Sequence, residues 1–114
     1  MKVYIATKFE EHERALSIAQ ALENAGHVIT WRWWENDQFT TEQAARDMDG
    51  VLAADALVFI AEKDLPYRGA YVEFGIAIAR GIPIYLLGHA ADSCIFTKLP
   101  QVQRGLGNLL ETVR

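Results

Sequence analysis

The sequence predicts an α/β domain with a doubly wound, mainly parallel sheet of four to five strands and helices on both faces. Three observations predict it. Short apolar runs alternate along the chain with segments of helical spacing. The first run, Val3 to Ala6, is apolar without interruption, as a strand covered on both faces requires. Glycines stand where helices should stop, at Gly26 and Gly81. Strands that alternate with helices connect by right-handed crossovers, which makes the sheet parallel.

The elements follow in order. After the first strand, Thr7-Lys8-Phe9-Glu10 has the form of a capping box, a hydroxyl followed three residues on by Glu. A helix is predicted from about Phe9 to Ala25, with Ala15, Ile18, Ala19, Leu22 and Ala25 at helical spacing. His27 to Trp31 reads as the second strand. Thr40-Thr41-Glu42-Gln43 offers another cap, for a helix reaching about Ala54. Ala56 to Ala61 is the third strand. A turn over 62–68 leads to a helix from Gly69 to Arg80, and Ile82 to Leu87 is the fourth strand. Thr97 to Val102 is expected to hold a turn and a short fifth strand, and Leu106 to Val113 a last helix. In such sheets ligands bind outside the carboxyl ends of the strands, at the switch in strand order. Ala6 to Phe9, Trp31 to Asn36 and Glu62 to Glu73 should meet there.

The totals restrict function. The 114 residues fit one domain, and 51% are apolar, enough for a core. A net charge of −4 argues against a nucleic-acid polymer as partner. The single cysteine, Cys94, excludes an internal disulfide and fits a reducing, cytoplasmic compartment. His12, His27 and His89 are scattered, so no metal and no cofactor are expected. The apolar run at the N-terminus is too short for a signal peptide, and no stretch reaches the roughly 18 apolar residues of a membrane span.

Glu73 is the sharpest chemical signal. Its helix is apolar almost all round and should be largely buried, and Glu73 is its only carboxylate. Gly69, Ala70, Ile76 and Ala77 flank it on the helix surface; none can pair with it, and three leave space beside it. An unpaired buried carboxylate is costly. Near a helix N-terminus the dipole favours its charge while desolvation opposes it, a setting suited to nucleophilic attack. Pairing with Arg32 or Arg68 is the structural alternative. Gly75, mid-helix, is expected to serve close packing on the sheet.

Asp47 borders the apolar arc of Ala44, Ala45, Met48, Val51 and Leu52, while Asp49 points away. Trp31, Trp33 and Trp34 follow the second strand closely, and suit core packing, a subunit interface or stacking on a nucleobase. Thr7 and Lys8 open the first helix, where an anion can bind. His89, Ser93 and Cys94 form no recognisable nucleophile set.

Taken together, these segments resemble the nucleoside 2-deoxyribosyltransferase family. The resemblance rests on Lys2-Val3-Tyr4-Ile5-Ala6 with Phe9, on Asp47 followed by Ala54-Asp55 and an apolar strand, and above all on Gly69 through Glu73-Phe74-Gly75-Ile76-Ala77 with Gly81-Ile82-Pro83-Ile84. It spans residues 2 to about 88. Arg32-Trp33, Arg68-Gly69 and Phe96 through Val102 are similar to the compact subgroup of phage and bacterial genomes.

The resemblance implies a flavodoxin-like fold and cleavage of the N-glycosidic bond of 2'-deoxyribonucleosides. Glu73 falls on the nucleophile that forms a covalent deoxyribosyl-enzyme, released by an acceptor base or water. Tyr4 falls on the tyrosine that positions it, and Asp47 on an aspartate serving the sugar or the base. Thr7, Lys8, Phe9, Trp33, Tyr67, Arg68 and Gly69 are expected around the substrate. Ser93 or Thr97 of a neighbouring subunit would complete the site of a homodimer or larger oligomer. A related branch hydrolyses 2'-deoxynucleoside 5'-monophosphates. Two positions depart from the pattern: Tyr67 stands where the family has Asp or Ser, and Thr7-Lys8 replaces the hydrolases' Gly-rich phosphate loop. They motivate the alternative of a catalytically silent nucleotide-binding module. A flavin or receiver domain is a third reading; the receiver is disfavoured by the missing aspartates after the first strand, and a flavin domain would be yellow when purified.

Overall fold

Where a strand is buried on both faces, every residue of it must be apolar, and Ala56–Ile60 meets that condition at each position. In the computed structural model, which describes residues 1–36 and 38–111, this segment is the centre of the sheet. The strands are β1 (Lys2–Ala6), β2 (Val28–Ile29), β3 (Ala56–Ile60), β4 (Ile84–Leu87) and β5 (Val102–Arg104). The helices are α1 (His12–Asn24), α2 (Thr41–Leu52) and α3 (Arg68–Arg80). Single 3-10 turns lie at Phe9–Glu11, Trp33–Glu35, Ile95–Lys98 and Gly107–Leu110.

All strands pair in parallel, in the order β2-β1-β3-β4-β5. This is the flavodoxin-like doubly wound order. One row of the register runs Tyr4, Leu57, Ile84, Val102 across four strands. The chain leaves β1 towards β2 through α1 and returns through α2 to β3, so right-handed crossovers put α1 and α2 on opposite faces. α3 packs beside α2, and α1 contacts the 107–110 turn. The order reverses between β1 and β3, which places the ligand crevice outside their carboxyl ends.

The caps divide. Thr40 caps α2 as expected, its side chain accepting from the Gln43 backbone N–H at 3.1 Å. The Thr7 capping box does not form. Thr7 donates instead to the Ile60 carbonyl at 2.8 Å, tying the end of β1 to the end of β3, and a 3-10 turn precedes α1. Burial explains the difference, since the Thr7 side chain faces the sheet rather than solvent.

Other expectations need correction. β2 is only two residues long, because the chain turns away at Thr30 into the 3-10 turn that buries Trp33 and Trp34. The last helix is reduced to the 3-10 turn Gly107–Leu110, pinned by Leu109 in the core, and residues 112–113 lie outside the described part. α3 is not enclosed: Val72 is 65% exposed, and Gly75 is exposed with nothing near the place of a Cβ. Gly75 therefore does not serve close packing on the sheet, and none of the described residues lies near the place of its Cβ. The apolar arc of α2 is bare too, for only Val51 of the five residues is buried.

Gly81 ends α3 in the left-handed region at φ +72°, with open space where a Cβ would stand. Conformation alone then decides the effect of a side chain. Gly81→Ala should destabilise the fold by about 1–2 kcal/mol, read as a lower midpoint in urea with an unchanged slope. An unchanged midpoint would refute that account of the cap.

Candidate active site

The crevice at the switch point is real. A cavity of about 310 Å³ is lined by Thr7 and Lys8 after β1, Trp33 after β2, Asp47 on α2, and Pro66, Tyr67, Arg68, Gly69, Ala70 and Glu73 around the start of α3. The three segments expected at the strand ends all contribute.

Tyr4 reaches this place from below. Alternation along β1 puts Tyr4 and Ala6 on the sheet face that α2 and α3 cover. The Tyr4 ring is fully buried, and its hydroxyl donates a short hydrogen bond to Glu73 Oε2. The ring fits because α2 carries Gly50 above it. A Cβ there would stand 2.9 Å from the Tyr4 ring and 2.8 Å from the Trp31 Cβ.

Glu73 has no cationic partner among the described residues. Arg32 pairs with Glu23 and Glu35, each at 2.9 Å, and so is not available to it. Desolvation pushes the Glu73 carboxyl up to about 8; the Tyr4 hydrogen bond opposes that and the Asp47 charge adds to it. Burial first, then the Glu73 charge, raises the Tyr4 phenol far above its ordinary value, so it remains a donor. The arrangement is a carboxyl group held in one orientation by a neutral phenol.

Asp47 is half-buried, and desolvation raises its carboxyl, against the hydrogen bonds of Trp31 and Gln43. Trp31 Nε1 at 2.8 Å and Gln43 Nε2 at 3.1 Å both donate to Oδ1. That leaves Oδ2 free to carry a proton. The two amphipathic cues for Asp47 gave no hint of these donors. Sequence reading missed Gln43 and Gly50, although Gln43 lies one helical turn before Asp47, a spacing that brings side chains together.

The remaining residues separate. Thr7, Lys8, Trp33, Tyr67, Arg68 and Gly69 line the cavity. Trp33 donates to the Ile5 carbonyl at 2.6 Å, which fixes its ring. Tyr67 is buried, its hydroxyl accepting from the Lys63 N–H at 3.1 Å, and desolvation raises its phenol. Lys8 and Arg68 are the cations of the cavity; Lys8 also meets Glu10 at 3.3 Å. Phe9 is not part of the lining, because the 3-10 turn stacks its ring on His12 with centroids 4.8 Å apart. Asp64 is exposed and outside the lining. Thr97 is buried, its hydroxyl donating to the Cys94 carbonyl at 2.8 Å, while Ser93 is exposed.

Known structures share this architecture. The 2-deoxyribosyltransferase of Bacillus psychrosaccharolyticus superposes with a TM-score of 0.71 at 19% identity, over 90% of this chain and 82% of that one. The CMP N-glycosidase of Clostridium botulinum gives 0.68 at 21% identity, over 91% and 86%. A 2-deoxyribosyltransferase of Leishmania mexicana gives 0.61 at 18% identity, over 76% and 63%. No family model and no curated protein matches the sequence. At these identities the likeness establishes the fold, and it bears out the architecture that the resemblance implied.

The raised Glu73 value makes stability depend on pH with a definite sign. The folded chain holds the proton more tightly than the unfolded one, whose carboxyl has the ordinary value near 4.5. The stabilisation is complete below that value and is lost as pH rises through about 8. Glu73→Gln should flatten this decline, with the variant gaining on the native protein in thermal midpoint between pH 5 and pH 9. Parallel curves across that range would show that Glu73 is not desolvated.

Proposed function

We propose that this protein cleaves or transfers at the N-glycosidic bond of 2'-deoxyribonucleosides or their 5'-monophosphates, with Glu73 as nucleophile. The observation that carries this reading is the desolvated Glu73 carboxyl, aligned by Tyr4 and facing a cavity that it shares with Asp47.

The chemistry uses two carboxyl groups in a double displacement. Glu73, which holds its proton in the resting site, passes it to Asp47, and the ionised oxygen then attacks C1' and forms an ester to the sugar. The bond from C1' to the base breaks, its electron pair goes to the base nitrogen, and Asp47 Oδ2 supplies the proton. A second base or a water molecule then attacks C1' from the vacated side and gives up a proton to Asp47, while the bond from C1' to the Glu73 oxygen breaks and its electron pair returns to the carboxylate. Tyr4 donates to the carboxyl throughout and is a positioning residue for the attack. Desolvation strengthens each of these interactions.

Lys8 and Arg68 favour a phosphorylated substrate as the more specific reading. They stand in the cavity beside the N-terminus of α3, where backbone N–H groups and the helix dipole also attract an anion. The protein should therefore be incubated with each deoxynucleoside and its 5'-monophosphate, with and without a second free base, and the products separated by chromatography. A new deoxynucleoside means transfer, and free base alone means hydrolysis. Glu73→Ala should abolish both, and Asp47→Asn should lower kcat by about 10²–10⁴-fold, with folds retained by circular dichroism. Full turnover in Glu73→Ala would reject the mechanism, and no product in any lane would favour a silent nucleotide-binding module.

Self-association is part of the same reading, though not through Trp33 and Trp34, which are buried within the chain; Trp31 is half-buried. The bare faces of α2 and α3 form an apolar groove of about 510 Å³, lined by Ala44, Ala45, Met48, Val72 and Ile76, that opens onto Asp47 and Glu73. Gly69, with nothing near the place of a Cβ, leaves this side of α3 open, so a second copy can approach closely and exclude water from the carboxylates. Light scattering should report a dimer or larger species, and Val72→Lys should shift it to monomer with loss of activity. A native monomer at assay concentration would refute this surface.

A further inference from the structure

Two donors converge on one oxygen of Asp47. Trp31 Nε1 at 2.8 Å and Gln43 Nε2 at 3.1 Å both reach Oδ1. A carboxyl group that accepts twice on one oxygen carries its proton on the other. The donors therefore decide which oxygen is the acid. Gln43 comes from the same helix as Asp47, one turn earlier. Trp31 comes from the end of β2, and α2 grips its root. Thr30 Oγ1 donates to the Gly50 carbonyl at 2.8 Å, and a Cβ on Gly50 would stand 2.8 Å from the Trp31 Cβ.

The ring of Trp31 is held as well. The guanidinium carbon of Arg46 lies 5.5 Å from the ring centre. Arg46 and Asp47 are successive residues of α2, so the indole meets both, one with its face and the other with its N–H edge. A cation over an indole is attracted to the negative face of the ring. It draws electron density out of the ring, which makes the N–H a stronger donor, and it steadies the ring against rotation. Arg46 is exposed, and no step of the chemistry above uses it.

We propose that Arg46 and Trp31 are a positioning pair for Asp47, holding Oδ1 so that the proton for the departing base stands on Oδ2. The inference rests on the N-glycosidic reading of the site. Neither residue touches the reacting atoms; both act through the carboxyl group. Without the indole donor the carboxyl turns about its Cβ–Cγ bond, a broad and soft torsion, and its proton is shared between two oxygens. The loss falls on one step, protonation of the departing nitrogen. A base that leaves readily without a proton is spared it.

That difference supplies the test. Each protein is assayed on a deoxynucleoside and on a counterpart with a better leaving group, 7-methyl-2'-deoxyguanosine beside deoxyguanosine and 5-fluoro-2'-deoxyuridine beside deoxyuridine. Trp31→Phe keeps a ring in place and removes the donor. It should lower kcat on the parent substrate by about tenfold or more, and much less on the counterpart. Arg46→Met should act in the same direction to a smaller extent, and Arg46→Lys should restore the rate. Equal losses on both members of a pair would overturn the proposal, since a merely structural role slows both alike. A second measurement needs no turnover. The chain has three tryptophans, and the indole N–H signal that vanishes from the NMR spectrum of Trp31→Phe is that of Trp31. It should lie downfield in the native protein, move upfield in Asp47→Ala, and move by a smaller step in Arg46→Met. A signal that ignores Asp47→Ala would also overturn the pair. The two readings fail separately. A responsive indole signal in a protein that cleaves none of these substrates removes the glycosidic chemistry and leaves the hold on Asp47. Cleavage with equal losses removes the pair and leaves the chemistry.

Discussion

The hydrogen bond from Tyr4 to Glu73 is the constraint around which this small domain is arranged. A carboxyl group without a cation loses its charge when dried, and one left in water is a poor nucleophile. A phenol opposes that loss in part and fixes the carboxyl's orientation. It donates to the carboxyl without supplying charge, and its own burial keeps its proton in place. The phenol must come from a strand under α3, and it must stand on the face of that strand that α3 covers. Both demands fall on β1, at the switch in strand order.

The surroundings hold the rest of the geometry by hydrogen bonds that tie loops to strands. Thr7 locks the ends of β1 and β3 together on the floor of the crevice. Trp33 is anchored to the β1 backbone at Ile5, and Trp31 reaches out from the end of β2 to orient Asp47. Each wall is thus referred to the parallel sheet, its most rigid part. One side remains open, where α2 and α3 show apolar surface instead of covering it. Among the described residues no further helix lies there, and the bare surface lies beside the two carboxyl groups.

Much of this was legible in the sequence, for identifiable physical reasons. Unbroken apolar runs mark central strands, so β1, β3 and β4 were found, and the glycine ends and the Thr40 cap bounded the helices. A lone carboxylate in an apolar helix carries its own signal, and Glu73 stands where that signal placed it. What failed was the assumption that apolar residues face inward. The arc on α2 and the outer side of α3 have the pattern of core positions and are exposed. Periodicity tells which residues share a face, and cannot tell whether the cover is in the same chain. Thr7 misled for a related reason: its spacing to Glu10 fits a cap, but a buried hydroxyl bonds to the nearest free carbonyl, at Ile60. Phe9 followed the same local turn away from the crevice.

Gly50 has a wider meaning than its small size suggests. The space for the Tyr4 ring exists only because α2 has no side chain there, and the same helix presents Asp47 one turn earlier. Positions 4 and 50 therefore cannot drift independently. A side chain at 50 would meet the Tyr4 ring and the Trp31 Cβ together, so a smaller residue at 4 alone does not make room for it. The glycine one turn after Asp47 is thus the imprint that the Tyr4 ring and Trp31 leave on α2, written in the sequence far from either.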